Sequence, residues 1–426
     1  MSSVRIVCGL HRLVLRSAPL LQTASHVQND HCQSFSTTGA CMSPTQKPLD
    51  PGVFYQAVKD SGVNFFCGVP DSLLKDFCAY VTTTSSDKDH VITANEGAAV
   101  ALASGYHLAT GRTAMVYLQN SGLGNMVNPL MSLANPAVYS IPILLLVGWR
   151  GEPGVKDEPQ HVAQGQITKP MLDCMNIPCE ILPKDEASMR AVLKKAEEYF
   201  EDKKSPFALL VKSKTFSPYK LKAQDRDNQF PLTREEALFK VVECLQENDA
   251  VVGTTGMLSR ELFEYRVTMK MGHARDFLTV GSMGHASAIA LGIALQKPQR
   301  QVFCLDGDGA LLMHMGSLAT VGQQGPANLK HIVFNNGAHD SVGGQPTEAG
   351  NHEDFDLCAI AKGCGYKEAL VAITEKEIEE KVRYLHKARG PILLELKVKL
   401  GSRSDLGRPT RTTIENKDDF MGFLRD

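Results

Sequence analysis

Short apolar runs alternate with helix-length segments along most of this chain. Runs of that length suit strands covered on both faces, which read as near-continuous apolar stretches. In the first half they fall at residues 64–67, 90–93, 113–118, 141–147 and 206–212. Helices are expected at 51–61, where Val53, Phe54, Ala57 and Val58 share one face, at 73–81 and at 96–110. Asp50 is placed to cap the first of these, and Pro51 suits its first turn. Asn95 is placed to cap the third, which Gly111 stops. Residues 149–166 read as a polar loop. Residues 213–232, with Pro218, Lys220 and Lys222 and a run of charges, read as an interdomain linker. The second half begins with a helix at 233–248. Strands are expected at 250–253, 277–280, 302–305, 331–334 and 392–398, and helices at 286–295 and 311–323. Strands separated by helices imply an α/β chain with two doubly wound, parallel-sheet domains, 46–212 and 233–426.

One unit stands out. The strand at 302–305 runs into Asp306-Gly307-Asp308-Gly309, and the strand at 331–334 into Asn335-Asn336-Gly337, with one helix between them. A crossover of this kind makes the two strands parallel neighbours. Asp308 and Asn336 then leave the sheet side by side. A carboxylate and an amide oxygen there suit a hard cation such as Mg²⁺, with phosphate oxygens and water completing its shell. The glycines allow close backbone approach to a diphosphate, and a helix start favours negative charge. Two other motifs fail. A calcium loop needs glycine where Leu311 stands and glutamate where Ser317 stands. A dinucleotide fingerprint needs its third glycine where Leu312 stands.

The chain has 426 residues, enough for two domains, with 43% apolar and 22% charged residues. A net charge of −2 gives no general pull toward nucleic acid or acidic membranes. The longest apolar run, 141–147, is too short to span a bilayer. The eleven cysteines are scattered without CxxC spacing, which points to reduced thiols. Residues 1–45 differ from the rest. They carry Arg5, Arg12 and Arg16, no acidic residue before Asp30, and many Leu, Val, Ser and Thr. That composition is expected of a mitochondrial presequence; a disordered tail is the alternative.

The Gly307-Asp308-Gly309 and Asn335-Asn336 pair, 25 residues apart, resembles the cofactor signature of the thiamine diphosphate-dependent 2-oxo acid decarboxylases. The resemblance implies a pyrimidine-binding domain followed by a diphosphate-binding one. It implies Mg²⁺ on Asp308, Asn336 and the carbonyl of Ala338. It also implies a glutamate against the aminopyrimidine ring, matched by Glu96, and an apolar prop under the thiazolium, matched by Met283. Gly307 and Gly309 would lie against the diphosphate. No third domain separates the two, which narrows the resemblance to the compact phosphonopyruvate and sulfopyruvate decarboxylases. The stretches 68–74, 119–125, 149–154, 157–161 and 336–347 favour the phosphonopyruvate branch.

That resemblance implies decarboxylation of 3-phosphonopyruvate to phosphonoacetaldehyde and CO₂. Sulfopyruvate, another small 2-oxo acid, and a non-catalytic relative of the fold are the alternatives. It further implies a homodimer or larger assembly, with the first domain of one chain completing a site on the second domain of another. Asp71, His339 and Asp340 are candidates to move protons. Gln119, Asn120, Ser121, Arg150, Lys156, Arg403 and Arg408 are candidates to hold the phosphonate. Each has a plainer alternative: a helix cap for Asp71, a loop histidine for His339, surface charge for the cations.

Overall fold

The structure, a computed structural model, describes residues 47–221 and 230–425. The expected presequence and part of the expected linker lie outside them. The first sheet contains β1 (Phe65–Gly68), β2 (His90–Ile92), β3 (Ala114–Gln119), β4 (Ile143–Gly148), β5 (Cys179–Ile181) and β6 (Phe207–Val211), in the order β2-β1-β3-β4-β6-β5. Its helices are α1 (Pro51–Asp60), α2 (Lys75–Thr84), α3 (Glu96–Thr110), α4 (Leu123–Pro129), α5 (Pro159–Cys174) and α6 (Glu186–Lys203). Every pairing is parallel.

The second sheet contains β7 (Ala250–Gly253), β8 (Asp276–Leu278), β9 (Val302–Gly307), β10 (Leu329–Asn335), β13 (Glu368–Ala372) and β14 (Ile392–Lys397). A two-stranded ribbon, β11 (Ala338–His339) and β12 (Gln345–Pro346), precedes β13. Its helices are α7 (Arg234–Glu243), α8 (Met257–Thr268), α9 (Ala286–Gln296), α10 (Asp308–Met313), α11 (Ser317–Gln324), α12 (Leu357–Gly363), α13 (Glu375–Lys387) and α14 (Thr413–Phe423). The order β8-β7-β9-β10-β14-β13 is that of the first sheet repeated, strand for strand. The α/β reading with two doubly wound parallel sheets is therefore correct.

Both sheets are buried on both faces, which explains their unbroken apolar runs. On β3, Met115 and Tyr117 enter one core while Val116 and Leu118 enter the other. On β9, Phe303 and Leu305 face one core, and Val302 and Cys304 the opposite one. Local signals set several boundaries. Asp50 accepts from Gly52 and Val53 N–H with Pro51 following, and Asn95 accepts from Ala98 N–H.

Three expected elements differ. Residues 159–166 belong to α5 rather than to a loop. That helix buries only Gly165, Thr168 and Leu172, so its pattern carries no broad apolar stripe. Gly165 lets it rest on the backbone of Gly151, where a Cβ would overlap the carbonyl. The helix expected at 311–323 is two helices. His314 leaves helical geometry, and its ring packs on His285 with centroids 4.3 Å apart. The helix expected at 233–248 ends at Glu243.

In such a sheet, ligands sit beyond the carboxyl ends of the strands where the order reverses. In the first half that point lies between β1 and β3, in the second between β7 and β9. The strand ends at 69–72, 119–122, 254–256 and 307–310 all contribute to one cavity. Among the described residues no helix is long and apolar enough to cross a membrane.

Candidate active site

The cavity has a volume of about 740 Å³ and draws its walls from both halves of one chain. The resemblance implied that another chain's second domain would complete the site. Here Glu96 of the first half and Asp308 of the second share one cavity within a single chain.

Glu96 opens α3, and only 4% of its surface is exposed. Its Oε2 accepts from Asn125 Nδ2 at 2.8 Å. Gly122 lies against the carboxylate, and a Cβ there would overlap it. Burial pushes this carboxyl above the usual glutamate range, with Asn125 opposing. It therefore keeps its proton to higher pH than an exposed glutamate. Asn125 and Gly122 belong to the stretch singled out at 119–125, but their service to Glu96 needed the fold.

On the facing wall, Asp308 begins α10 and is 3% exposed. Thr347 Oγ1 donates to its Oδ2 at 2.5 Å. Burial pushes Asp308 up to about 7. Asn336 sits beside it at the end of β10, and Asp340 accepts from its Nδ2 at 2.7 Å. That bond turns the amide oxygen away from Asp340. Asp340 is held in turn by Arg234, at 2.7 Å, and Arg234 grips Glu261 in a bidentate pair at 2.9 and 2.8 Å. Asp340 is thus occupied in a buried ion-pair network, the arrangement of a group that positions others.

Gly307, Gly309, Ala338, His339 and Met283 complete this wall. The His339 ring packs on Gly309, and burial pulls its pKa down to about 4, so the imidazole is neutral near pH 7. The start of α8 also faces the cavity, with Gly256 as its cap position and no capping side chain. Beside it Thr254, 3% exposed, has a hydroxyl without a hydrogen-bond partner among the described residues. Two helix starts, an orphan hydroxyl and two glycines make a cradle fit for a diphosphate. The carboxylate of Asp308 and amide oxygen of Asn336 fit a hard divalent ion. Thr254 and Thr255 were missed because a Thr-Thr-Gly turn after a strand is common in any α/β sheet.

The other predicted residues divide. Gln119, Ser121, Arg150 and Arg408 line the cavity. Gln119 Nε2 donates to Ser121 Oγ at 2.5 Å. Arg150 is paired with Asp157 through Nε and Nη2 at 2.8 and 2.5 Å and donates to Ser72 at 2.9 Å. Arg408 pairs with Glu158 across the two halves.

Asp71, Asn120, Arg403 and Lys156 are not on the cavity wall. Asp71 is fully buried behind it, accepting from Leu73 N–H at 2.8 Å, and burial pushes it up to about 6. It braces the turn before α2 rather than capping that helix, whose N-cap position is Leu74. Asn120 donates to Arg150 O and Thr168 Oγ1 and accepts from Arg150 N–H, so it fastens the turn after β4 to α5. Arg403 is bound to Glu235, Glu264 and Asp405, and Lys156 is exposed.

Two family models match the two halves of the chain. Residues 52–172 match the thiamine pyrophosphate enzyme N-terminal TPP binding domain, and residues 252–396 the C-terminal TPP binding domain. The chain is 36% identical over 378 residues to phosphonopyruvate decarboxylase of Streptomyces viridochromogenes, covering 85% of this chain and 92% of that one. It is 35% identical to phosphonopyruvate decarboxylase of Streptomyces hygroscopicus, with 86% and 91% covered. It is 27% identical to sulfopyruvate decarboxylase of Methanosarcina acetivorans, with 77% and 86% covered. Similarity of this extent, over both domains, places the chain in the thiamine pyrophosphate enzymes, within the phosphonopyruvate decarboxylase family.

Proposed function

We propose that this chain decarboxylates 3-phosphonopyruvate to phosphonoacetaldehyde and CO₂, using thiamine diphosphate held through Mg²⁺. The observation that carries this reading is the single cavity joining Glu96 to Asp308 and Asn336, in a chain similar to phosphonopyruvate decarboxylases over 85% of its length. Thiamine diphosphate, when bound, supplies the electron sink that lets a 2-oxo acid lose CO₂.

The chain's own residues do the rest. Glu96, whose pKa burial raises, would hold and exchange a proton with a ring nitrogen placed against it. Asp308 and Asn336 would hold the cation, with Ala338 giving its carbonyl. Met283, on the cavity wall of the second half, would prop the cofactor. His339, on the same wall and neutral near pH 7, would be free to accept a proton there.

Incubation with phosphonopyruvate, sulfopyruvate and pyruvate, scored by CO₂ and the matching aldehyde, tests the substrate. Phosphonopyruvate is expected to give the highest kcat/KM. Faster turnover of sulfopyruvate would replace it with that acid, and no turnover of any would leave a non-catalytic relative.

We propose a homodimer or larger assembly as well, and residues 1–45 as a mitochondrial presequence on their composition. Exchange of halves between two copies would rebuild the same walls from the same residues. Co-expression of Glu96→Gln and Asp308→Asn chains distinguishes the two arrangements. Sites shared between chains would recover about a quarter of wild-type activity, because half the dimers would carry one intact site of two. Sites within one chain would recover none.

A further inference from the structure

Four arginines reach the cavity: Arg150, Arg234, Arg260 and Arg408. Three of them are neutralised. Arg150 is paired with Asp157, Arg234 with Glu261 and Asp340, and Arg408 with Glu158. Arg260 differs. Its Nε donates to Gly407 O at 2.6 Å, one Nη2 hydrogen goes to Leu406 O, and Nη1 touches Met257 Sδ at 3.4 Å. Among the described residues none of its hydrogen bonds goes to a carboxylate. Neighbouring Glu261 is committed to Arg234.

Backbone carbonyls solvate a guanidinium without cancelling its charge. A half-buried cation left this way carries a desolvation cost that an anion would offset. Burial, and then the nearby Arg403 charge, act against its positive form, with Glu261 opposing. Of five N–H groups on an arginine, two remain beyond the contacts named, enough for a bidentate grip.

Its place on the wall decides between anions. Arg260 stands in the first turn of α8, and its side chain runs to the 406–407 backbone rather than to Asp308. That loop also brings Arg408 and Pro409 to the cavity, where Arg408 meets Glu158 at the start of α5. The cradle for a diphosphate lies at Thr254, Gly307 and Gly309.

We propose that Arg260 is the specificity-determining cation of this site, taking the tetrahedral anionic group of the 2-oxo acid substrate. The inference rests on the decarboxylase reading and adds to it the residue that separates phosphonopyruvate from pyruvate. Arg150, a candidate for this role from the sequence, is already occupied by Asp157.

The test uses cofactor-loaded wild type, Arg260→Gln and Arg260→Lys. Equilibrium binding of phosphonoacetate, which cannot be decarboxylated, is read by fluorescence of Trp149. This tryptophan is the only one in the chain and adjoins Arg150. Arg260→Gln is expected to raise the phosphonoacetate dissociation constant by roughly 10- to 100-fold, the span of a charge-assisted hydrogen bond. It should lower kcat/KM for phosphonopyruvate relative to pyruvate by a similar factor, and Arg260→Lys should recover part of both.

An unchanged constant and an unchanged ratio overturn the assignment. So does a shift confined to thiamine diphosphate affinity, which would give Arg260 to the cofactor's diphosphate. Should Arg260→Gln not fold, Arg260→Lys carries the test: it keeps the charge but loses the planar fork, and phosphonoacetate binding weaker by a few-fold supports the assignment while unaltered binding overturns it. If wild type binds phosphonoacetate through Arg260 yet turns over no phosphonopyruvate, the decarboxylase reading fails and the anion site stands.

Discussion

Glu96→Gln is expected to lower kcat by about 100- to 10,000-fold, the range lost with a general acid–base group, while the protein stays folded. The side chain keeps its length, and a glutamine oxygen can still accept from Asn125 Nδ2. Gly122 leaves room for a planar amide where it leaves room for a carboxylate. What disappears is the ionisable carboxyl whose pKa burial raises. Removing a buried ionisable group also removes its desolvation cost, so thermal stability should be equal or slightly higher. Cofactor binding, followed by Trp149 fluorescence, should persist. A glutamine variant with wild-type kcat would mean that Glu96 only complements the start of α3.

The parts of this site visible in the sequence are those whose chemistry is local. Asp308 and Asn336 each directly follow a strand, and a single crossover brings those strands together, so adjacency follows from connectivity alone. Glu96 shows itself as an acid at a capped helix start. Position on the cavity wall was a different matter. Gln119 and Asn120 are consecutive, yet Gln119 faces the cavity and Asn120 turns inward to Arg150 and Thr168. That choice is made by the short turn after β3, whose geometry no side-chain pattern reports. α5 was hidden for a related reason: Gln160, His161 and Gln164 point into the cavity instead of a core, so the helix lacks an apolar stripe. The arginines were least legible. Arg403 and Arg408 sit five residues apart in one loop, but Arg403 is spent on Glu235 and Glu264 while Arg408 crosses to Glu158. Arg260 emerges only once every carboxylate near the cavity has been assigned to another partner. Ion-pair partners some 100 residues distant, as Arg234 and Asp340 are, have no local signature.

Asp308→Asn should move the empty and loaded enzymes in opposite directions. In the folded chain burial raises the Asp308 pKa to about 7, well above the usual aspartate range of about 4. Below pH 4 the group is protonated whether folded or unfolded, and contributes no pH dependence. Between about 4 and 7 the folded state holds a proton that the unfolded state has released, so stability falls as pH rises through this window. Above 7 the whole cost is present, on the order of a few kcal/mol. Asparagine carries no such cost. In EDTA, without cofactor, the variant should therefore melt above wild type at pH 8 and close to it at pH 4. With Mg²⁺ and thiamine diphosphate the order should reverse. A divalent ion offsets the carboxylate charge and stabilises the folded state by mass action, which the neutral amide supports far less well. Loss of one partner from a buried charge pair costs about 3–5 kcal/mol, so apparent cofactor affinity should drop by at least about 100-fold. Melting curves across pH, with and without the ligands, read both arms. A variant less stable than wild type in EDTA at pH 8, with cofactor affinity intact, would place the cation away from Asp308.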